Sequence, residues 1–348
     1  MNFYLIGSQT ERPHSQQTIF VDGSPDQTFR EGIDIELSHW IPNRTPAKYK
    51  ADTSTEICIQ FIEQEPLGEW DLAINNHLDV DGILSLFVLV HRDTARIHKK
   101  TLIEAAAMGD FWAWGSRQAQ ILFQGLTLFM NELRVNQADI QVIYERCFAK
   151  TLELLADDGA QFAAELAHLE DVIEQIETGV IQRKVYHERF VHYHVPFDVA
   201  KGKLDSFLHI PSFNAPLQLD VSLPPQARYQ YDSDKVHLVS IATEEGYHYD
   251  LWYPGYMWAD TPTSWRAPGF HFTGSTNGYY FGYAPLEEVV KRLSELETGA
   301  GVWEIASQLT PFSSIAGRNY PVVVSYKDGL SEILPQVVAE ILSTSFSD

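Results

Sequence analysis

The sequence predicts an α/β protein whose N-terminal domain is built on a parallel sheet. Three short apolar segments, residues 17–21, 33–37 and 71–75, each stop at polar or turn-forming residues, as buried strands do. The third is followed by residues 82–91, which are apolar almost throughout and long enough for a buried helix. Ligands bind beyond the carboxyl ends of the strands in open α/β sheets, so the residues that follow each strand are candidate site residues.

The stretch HLDVDG, which joins the third strand to this helix, supplies His77, Asp79 and Asp81. Two aspartates at this spacing are costly to ionise together unless a cation lies between them, and the imidazole completes a ligand set suited to Mn, Mg or Zn. The pattern therefore indicates a metal site. The structural alternative is that Asp79 caps the helix, Gly82 forms a turn and His77 is only hydrogen-bonded at the strand end.

The two earlier strand ends add an aspartate and a histidine. Asp22 lies in a turn-forming stretch after residues 17–21, and His39 follows residues 33–37. Each would put a potential ligand at the same edge of a parallel sheet. The alternatives are an aspartate that caps its own turn and a histidine that packs beside Trp40.

The loop and helix start that come next suit an anion. Asn43 and Arg44 lie between Pro42 and Pro46, and residues 52–56 (DTSTE) are typical of a capped helix N-terminus. A guanidinium grips phosphate through two hydrogen bonds, and free amides at a helix start can face the same group. We therefore predict that Asn43 and Arg44 contact substrate. The alternative for Arg44 is a solvated surface side chain.

Composition excludes several classes of protein. With 348 residues, 45% of them apolar, the chain is long enough for two domains with sizeable cores. The formal charge of -22 argues against broad binding to duplex nucleic acid, and the 2 cysteines are too few for a disulfide framework. No apolar run reaches the roughly 18 residues of a membrane span. The N-terminus lacks a signal-peptide pattern, so we expect a cytoplasmic protein without a membrane partner.

The rest of the chain predicts a helical connector and a second, smaller α/β domain. We place the first domain at residues 1–116, a connector of amphipathic helices at 117–182, and the second domain, a candidate substrate-binding cap, at 183–348. This second domain should begin with an exposed histidine-rich strand and end in a helix that Pro335 interrupts. A glycine-rich loop between two of its strands is either a long hairpin or a substrate-binding loop. In the second case its substrate contacts are Arg266, His271, Ser275 and Asn277.

HLDVDG resembles the first motif of the DHH phosphoesterase superfamily, which includes RecJ-like nucleases, oligoribonucleases, exopolyphosphatases and family II inorganic pyrophosphatases. Asp22 in IFVDGS resembles the metal-bridging aspartate of the second motif, and Asp110 in LIEAAAMGDF resembles the aspartate of the fourth. The succession SHW, PNRTP and DTSTEI is similar to the third motif, although Ser38 and Trp40 replace two of its signature residues. The resemblance spans about residues 15–115, and the second and third motifs precede the first.

The resemblance implies a site for two divalent cations, Mn in the first place, with Mg or Zn as alternatives. Two such ions sharing a bridging carboxylate would lower the pKa of a bound water and hold a phosphoryl group for in-line attack, so no side-chain nucleophile is needed. The implied metal ligands are His77, Asp79, Asp81, Asp22, His39 and Asp110.

The function that this reading predicts is hydrolysis of a phosphoester or phosphoanhydride in a small nucleotide or short oligonucleotide. A different class, favoured by the replaced signature residues, is a catalytically degenerate sensor that binds a nucleotide or a metal. A third alternative is a metal hydrolase that acts on amides or esters. Self-association as a homodimer is left open.

Overall fold

The computed structural model describes residues 1–23, 25–66, 68, 70–203, 215–272, 279–281, 283–306, 308–309 and 321–347. This part of the chain has a mixed α/β fold, as predicted, and divides into two compact units. The first unit consists mainly of Met1–Ala163 and also includes Trp258–Ser264. The boundary differs from the predicted one, because residues 117–163, which we assigned to a connector, pack within the first unit.

The sheet of the first unit consists of the parallel strands β1 (Asn2–Leu5), β2 (Thr18–Val21), β3 (Ile35–Leu37) and β4 (Leu72–Asn75). Their order is β1-β4-β2-β3, so that β4 lies between β1 and β2. β2 and β4 are buried along their whole length, which explains the apolar runs that mark them in the sequence. The sequence did not predict β1, an edge strand of which only the last residue, Leu5, is buried.

The helices of this unit are α1 (Ser54–Gln64), α2 (Val80–Val90), α3 (Arg92–Ile97), α4 (Lys99–Phe111), α5 (Arg117–Val135) and α6 (Ile140–Leu154). Helix α2 is buried from Val80 to Leu89, in agreement with the apolar run that predicted it. It packs against α1, α4 and the strand β4 that precedes it. The packing fixes the start of α2 close to the carboxyl end of the sheet.

The second unit has the strands β5 (Gln182–His187), β6 (Phe190–Val195), β7 (Val236–Ala242), β8 (Tyr247–Trp252), β9 (Phe270–Phe272), β10 (Tyr279–Phe281), β11 (Val302–Ile305), β12 (Gln308–Leu309) and β13 (Val322–Lys327). A mixed sheet has the order β11-β13-β8-β7-β6-β5, with β6 parallel to β7 and the other pairs antiparallel. The strands β12, β10 and β9 form a separate antiparallel sheet.

The remaining helices are α7 (Ala163–Glu177), α8 (Phe197–Ala200), α9 (Pro225–Asp232), α10 (Ala284–Leu296) and α11 (Pro335–Ser343). Pro335 begins α11 and does not interrupt it, which corrects the prediction. Proline suits the first helical position, where its missing N–H would have no partner within the helix. Throughout the described ranges, no helix combines the length and the apolar character needed to cross a membrane.

The histidine-rich strand β6 is buried and not exposed, contrary to the prediction. His192 and His194 share one face of the strand, as expected, and both rings hydrogen-bond to the Ser240 hydroxyl, at 2.7 and 2.9 Å. Burial lowers the pKa of His192 to about 3. The pair therefore stays neutral and belongs to the interior of the second unit.

Glu36 of β3 should make the protein less stable as the pH rises. Burial raises its pKa to about 7, against a smaller opposing effect of Arg44, whose backbone N–H donates to Glu36 Oε2 at 3.0 Å. The ordinary value is 4.5, so the folded state holds this proton more tightly than the unfolded state. The stabilising contribution of the Glu36 proton is therefore fully present below about pH 4.5 and is lost as the pH rises through about 7.

We expect Glu36→Gln to remove this loss. The free energy of unfolding of the variant minus that of the wild type should increase by about 2 kcal/mol when the pH is raised from about 5 to about 8. Urea unfolding at the two pH values measures the difference. An equal effect of the substitution at both would contradict this account.

Candidate metal centre

The carboxyl ends of three parallel strands bring acidic and imidazole side chains to one place. One aspartate follows β2, one histidine follows β3, and a histidine with an aspartate follows β4. The first turn of α2 and the last turn of α4 each add an aspartate. We call these six side chains the central cluster: Asp22, His39, His77, Asp79, Asp81 and Asp110.

Among the described residues, two sets of side chains could each hold a metal ion, and both include Asp22. The outer group is Asp22, His77 and Asp79, and the inner group is Asp22, His39 and Asp81. In each group the donor atoms lie within 4.8 Å of one another. Asp22 Oδ2 is 3.1 Å from His77 Nε2, and Asp22 Oδ1 is 3.5 Å from His39 Nε2. One carboxylate is thus shared by two candidate cation positions.

Asp110 lies beside the inner group, where it adds a further carboxylate. Its Oδ2 is 3.3 Å from His39 Nε2, and Asp81 Oδ2 is 3.6 Å from the same nitrogen. The rings of Phe111 and Trp258 pack against the His39 imidazole, with centroid distances of 5.7 and 5.0 Å. The side chains of His39 and Asp81 are 0% exposed. The inner group is therefore closed off from solvent.

The two histidine rings are held so that Nε2 points into the cluster. His39 Nδ1 lies 2.5 Å from the Asp52 carbonyl oxygen, and His77 Nδ1 lies 2.7 Å from Asn76 Oδ1. Because these oxygens accept hydrogen bonds, each Nδ1 carries the proton. Nε2 of each ring is therefore the nitrogen left to meet a proton or a cation on the side of the carboxylates.

Three buried atoms of the cluster have no hydrogen-bond partner within the described part of the chain: Asp22 Oδ2, His39 Nε2 and His77 Nε2. Their approaches to one another lack hydrogen-bond geometry. Buried lone pairs of nitrogen and oxygen that face each other are unfavourable unless a proton or a cation lies between them. Imidazole nitrogen and carboxylate oxygen are also the donors that Mn and Zn accept. The residues present therefore fit a divalent cation.

The backbone around Asp22 leaves little room for other residues. Asp22 has a φ of 40° and Gly23 a φ of 128°, in the region that favours glycine. A Cβ at Gly82 would lie 2.3 Å from Asn75 Nδ2 and 3.0 Å from Asp22 Oδ2. Glycine at position 82 therefore lets the first turn of α2 approach the shared carboxylate.

Asp79 has both of the roles that the sequence left open. Its Oδ1 accepts a hydrogen bond from the Gly82 N–H at 2.7 Å, which makes Asp79 the N-cap of α2. Its Oδ2 lies 2.8 Å from His77 Nε2. One oxygen caps the helix while the other faces the outer group.

The start of α1 is capped as predicted, but its free amides bind a carboxylate of the protein itself. Thr53 is the N-cap, and its hydroxyl accepts from the Glu56 N–H at 3.1 Å. The N–H groups of Ser54 and Thr55 donate to the two oxygens of Asp81, both at 2.8 Å. This corrects the prediction that these amides face a substrate anion. The amides and the positive end of the helix dipole instead stabilise the negative charge of the Asp81 carboxylate.

Without a cation, protons have to neutralise much of the cluster. Burial and then the charge of Asp22 raise the pKa of Asp81 to about 6. Burial, followed by the charges of Asp81, Asp79 and Asp22, raises the pKa of Asp110 well above its ordinary value. Burial would also raise the pKa of Asp22. The charge of His77 and the close approach of both imidazoles outweigh this effect and lower the pKa of Asp22. A bound divalent cation would displace the protons of Asp81 and Asp110.

Ser38 and Trp40 form hydrogen bonds with the turn and the carboxylate of Asp22. Ser38 Oγ accepts from the backbone N–H groups of Gly23 and Trp40, both at 3.1 Å. The indole N–H of Trp40 and the hydroxyl of Ser54 each donate to Asp22 Oδ1 at 3.0 Å. Two donors therefore hold Oδ1 and leave Oδ2 turned to the outer group.

Arg44, a predicted substrate contact, lies on the neighbouring surface. Its guanidinium lies over the Phe29 ring, 5.0 Å from the centroid. It also pairs with Glu31 and Glu36, at 3.8 and 3.9 Å. The side chain is thus drawn to these acids, and a contact with substrate stays a prediction.

Asn43, the other predicted contact in this loop, shapes the loop itself. Its Nδ2 donates to the Trp40 carbonyl oxygen at 2.7 Å and to Asp260 Oδ2 at 3.2 Å. Its Oδ1 accepts from the Thr45 N–H at 3.1 Å. The amide nitrogen and the amide oxygen of Asn43 therefore both have hydrogen-bond partners within the protein.

Within the described part of the second unit, the residues predicted to contact substrate do not form a common site. Arg266 places its guanidinium over the Tyr256 ring, 5.3 Å from the centroid, and His271 is exposed on β9. Ser275 and Asn277 lie outside the described residues. A substrate-binding role for these four side chains stays a prediction.

Sequence reasoning missed Tyr144 of α6, because its local pattern is that of any core aromatic residue. Its hydroxyl donates to the His77 carbonyl oxygen at 2.8 Å and accepts from Asn75 Nδ2 at 2.9 Å. These bonds tie the end of β4 to α6 and so fix the backbone that carries His77. No short-range signal could have identified a contact between residues so far apart in the chain.

Tyr144→Phe should weaken cation binding at the outer group without removing a ligand. The substitution leaves the His77 carbonyl and the Asn75 amide without their partner, and supports of this kind are typically worth about 10–100-fold in metal affinity. We expect calorimetric titration with Mn²⁺ to show at least about tenfold weaker binding to one of two sites. Unchanged affinity at both would show that Tyr144 only fills space.

Comparison with known proteins gives a family but no activity. A family model described as a family of unknown function (DUF6687) matches residues 2–273, which include every residue of the central cluster. No curated protein and no solved structure matches the chain. Since the match covers well over half of the sequence, the chain belongs to DUF6687, a family of unknown function.

Proposed function

We propose that this protein is a metal-dependent hydrolase that cleaves a phosphoester or phosphoanhydride with two divalent cations. The observation that carries the proposal is the sharing of Asp22, which turns one oxygen to each group. A carboxylate common to two neighbouring cations is the arrangement of two-metal phosphatases and nucleases. The resemblance of HLDVDG to the DHH phosphoesterases supports the same reaction class.

Each side chain of the central cluster then has a defined task. Asp22, His77 and Asp79 would hold one cation, and Asp22, His39, Asp81 and Asp110 would hold the other. The oxygen and nitrogen donors suit Mn, with Mg or Zn as alternatives. When bound, the two cations would supply Lewis-acid stabilisation of the phosphoryl oxygens and a nucleophilic water at neutral pH.

The protein's own residues would orient the ligands and exclude solvent. The Asp52 carbonyl and the Asn76 amide hold Nδ1 of the two imidazoles, so that Nε2 of each ring is the nitrogen that would meet a cation. Burial of the cluster lowers the local dielectric and strengthens the interaction of a bound cation with its ligands. We propose no side-chain nucleophile.

The substrate is expected to be small and phosphorylated, such as a nucleotide or a short oligonucleotide. The chain carries a formal charge of -22, which disfavours long nucleic acid. Duplex nucleic acid and membranes are therefore not among the proposed partners. A metal hydrolase of amides or esters is the reaction class against which the experiment must discriminate.

A second candidate is a sensor that binds a nucleotide or a metal without turnover. The observation that favours it is that Ser38 and Trp40 form hydrogen bonds with the turn and the carboxylate of Asp22. At these positions the family resemblance would have placed an aspartate and a histidine. The resemblance implies a substrate-contacting histidine at position 40, whereas Trp40 donates a hydrogen bond to Asp22, a proposed metal ligand.

The two candidates are separated by assaying the Mn²⁺-loaded protein against a chromogenic phosphodiester, pyrophosphate, a short oligonucleotide and an amide substrate. Asp79→Asn is the test variant, and Asp93→Asn, whose parent side chain is 98% exposed, is the matched control. Turnover of a phosphorylated substrate that Asp79→Asn loses and Asp93→Asn keeps supports the hydrolase. Nucleotide binding without product supports the sensor, and turnover of the amide alone would contradict both.

A further inference from the structure

The two groups of the central cluster differ in their access to solvent. The side chains of His77 and Asp79 are 21% and 13% exposed, whereas those of His39 and Asp81 are 0% exposed. Phe111 and Trp258 pack on the His39 ring, and their own rings lie 5.8 Å apart. An aromatic cover thus lies over the inner group, while the outer group keeps part of its ligand set in contact with water.

The groups also differ in the number of donors that the protein offers. The outer group has one imidazole and two carboxylates. The inner group gains Asp110, whose Oδ2 lies 3.3 Å from His39 Nε2. In zinc proteins, four protein ligands close a site, while three leave a position for water or substrate. By this comparison the inner group resembles a closed site and the outer group an open one.

The hydrogen bonds of Asp22 keep the two groups independent. Trp40 and Ser54 both donate to Oδ1, on the inner side. Oδ2, on the outer side, has no hydrogen-bond partner among the described residues. The carboxylate therefore stays anchored for the inner group whether or not a cation lies next to Oδ2.

We propose that the inner group retains its cation while the outer group holds an exchangeable one, so that the supply of divalent cations regulates occupancy of the outer group. The inference rests on the proposed function in one respect, since both groups must bind cations. An ion with exposed ligands can exchange them for water one at a time. An ion enclosed by buried ligands leaves only after a local opening of the fold.

The test is the release of Mn²⁺ from the full-length, fully loaded protein into an excess of a chelating dye, followed by stopped flow and then by hand mixing. We expect one equivalent to leave quickly and one slowly, with rates that differ by about 100-fold or more, because the slow step waits for an opening populated at about one part in a hundred or less. Asp79→Asn should lose the fast equivalent alone. Asp110→Asn should speed the slow one, and Asp93→Asn should change neither.

A second pair of variants tests the cover without touching any ligand. Phe111→Leu and the more severe Phe111→Ala should accelerate the slow release, with the alanine variant faster, while two Mn²⁺ remain bound at equilibrium. Phe111→Leu guards against loss of the fold, because it keeps an apolar side chain at this buried position. Unchanged slow release in a folded Phe111→Ala protein would overturn the role of the cover.

Other outcomes bear on the two proposals differently. Two bound ions that leave at one rate, or loss of the slow equivalent in Asp79→Asn, would overturn the inference and leave the two-cation site standing. Binding of a single ion at saturating Mn²⁺ would refute the two-cation site and this inference together. A protein that binds no Mn²⁺ would refute the proposed function and this inference together.

Discussion

Asp22→Asn should empty both cation positions, whereas Asp79→Asn should empty one. Asp22 is the side chain common to the outer and inner groups, and each of its oxygens faces a different histidine. An amide carries no charge and offers one carbonyl oxygen, so the substitution removes the negative charge that both positions share and the donor oxygen of one of them. We expect the bound metal to fall from about two ions per chain to nearly none, as the two-metal arrangement requires.

Turnover should fall with the metal. We expect Asp22→Asn to lose about a thousandfold or more in rate, equal to about 4 kcal/mol of activation free energy. Elemental analysis and a phosphodiester assay on the same preparations measure the two effects, with Asp93→Asn as the control. A variant that keeps both ions would refute the role of Asp22 as the shared ligand.

Removal of the two cations with a chelator should lower the melting temperature by roughly 16–32 °C. A ligand present at about a thousand times its dissociation constant stabilises the folded state by about 4 kcal/mol per site. For a unit of this size, each kcal/mol corresponds to roughly 2–4 °C. Differential scanning calorimetry of the Mn²⁺-loaded and chelated protein measures the change. Asp22→Asn should show almost none of it, since it has no cations to lose.

The chelator effect should be larger near neutral pH than in mild acid. Burial, and then neighbouring carboxylates, raise the pKa of Asp81 to about 6 and that of Asp110 well above its ordinary value of 3.8. In the cation-free protein, a raised folded-state pKa means that stability is lost as the pH rises from about 3.8 through about 6. A cation requires the deprotonated carboxylates and removes this loss. A chelator effect that shrinks between about pH 5.5 and about pH 7.5 would contradict the account.

Local sequence patterns were sufficient to predict the strands that carry the cluster. β2 and β4 are buried on both faces, so their apolar runs are unbroken, and each stops where a polar residue enters the site. The carboxyl ends of parallel strands meet at one edge, which is why Asp22, His39 and His77 converge although they are far apart in the chain. Adjacency of β4 to β2 brings the histidine that follows one strand beside the aspartate that follows the other.

Contacts between distant segments could not be predicted from local sequence patterns. The amides at the start of α1 face Asp81, and Tyr144 reaches His77 from a helix two elements beyond the predicted domain core. Both depend on how helices pack, which no local period encodes. Arg44 was predicted from its chemistry alone, and its position is instead decided by Glu36 and the Phe29 ring.

The central claim is that the six side chains of the central cluster hold two cations. The most direct measurement is the number of Mn²⁺ ions bound per chain of the wild type, His39→Ala and His77→Ala in equilibrium dialysis against saturating Mn²⁺, after subtraction of the free ion in the dialysate. We predict about two ions per chain in the wild type and about one in each variant, because each histidine belongs to a different group. A wild-type protein that retains no metal would contradict the claim, and His77, Asp79 and Asp81 would then be no more than a capped turn at the start of α2.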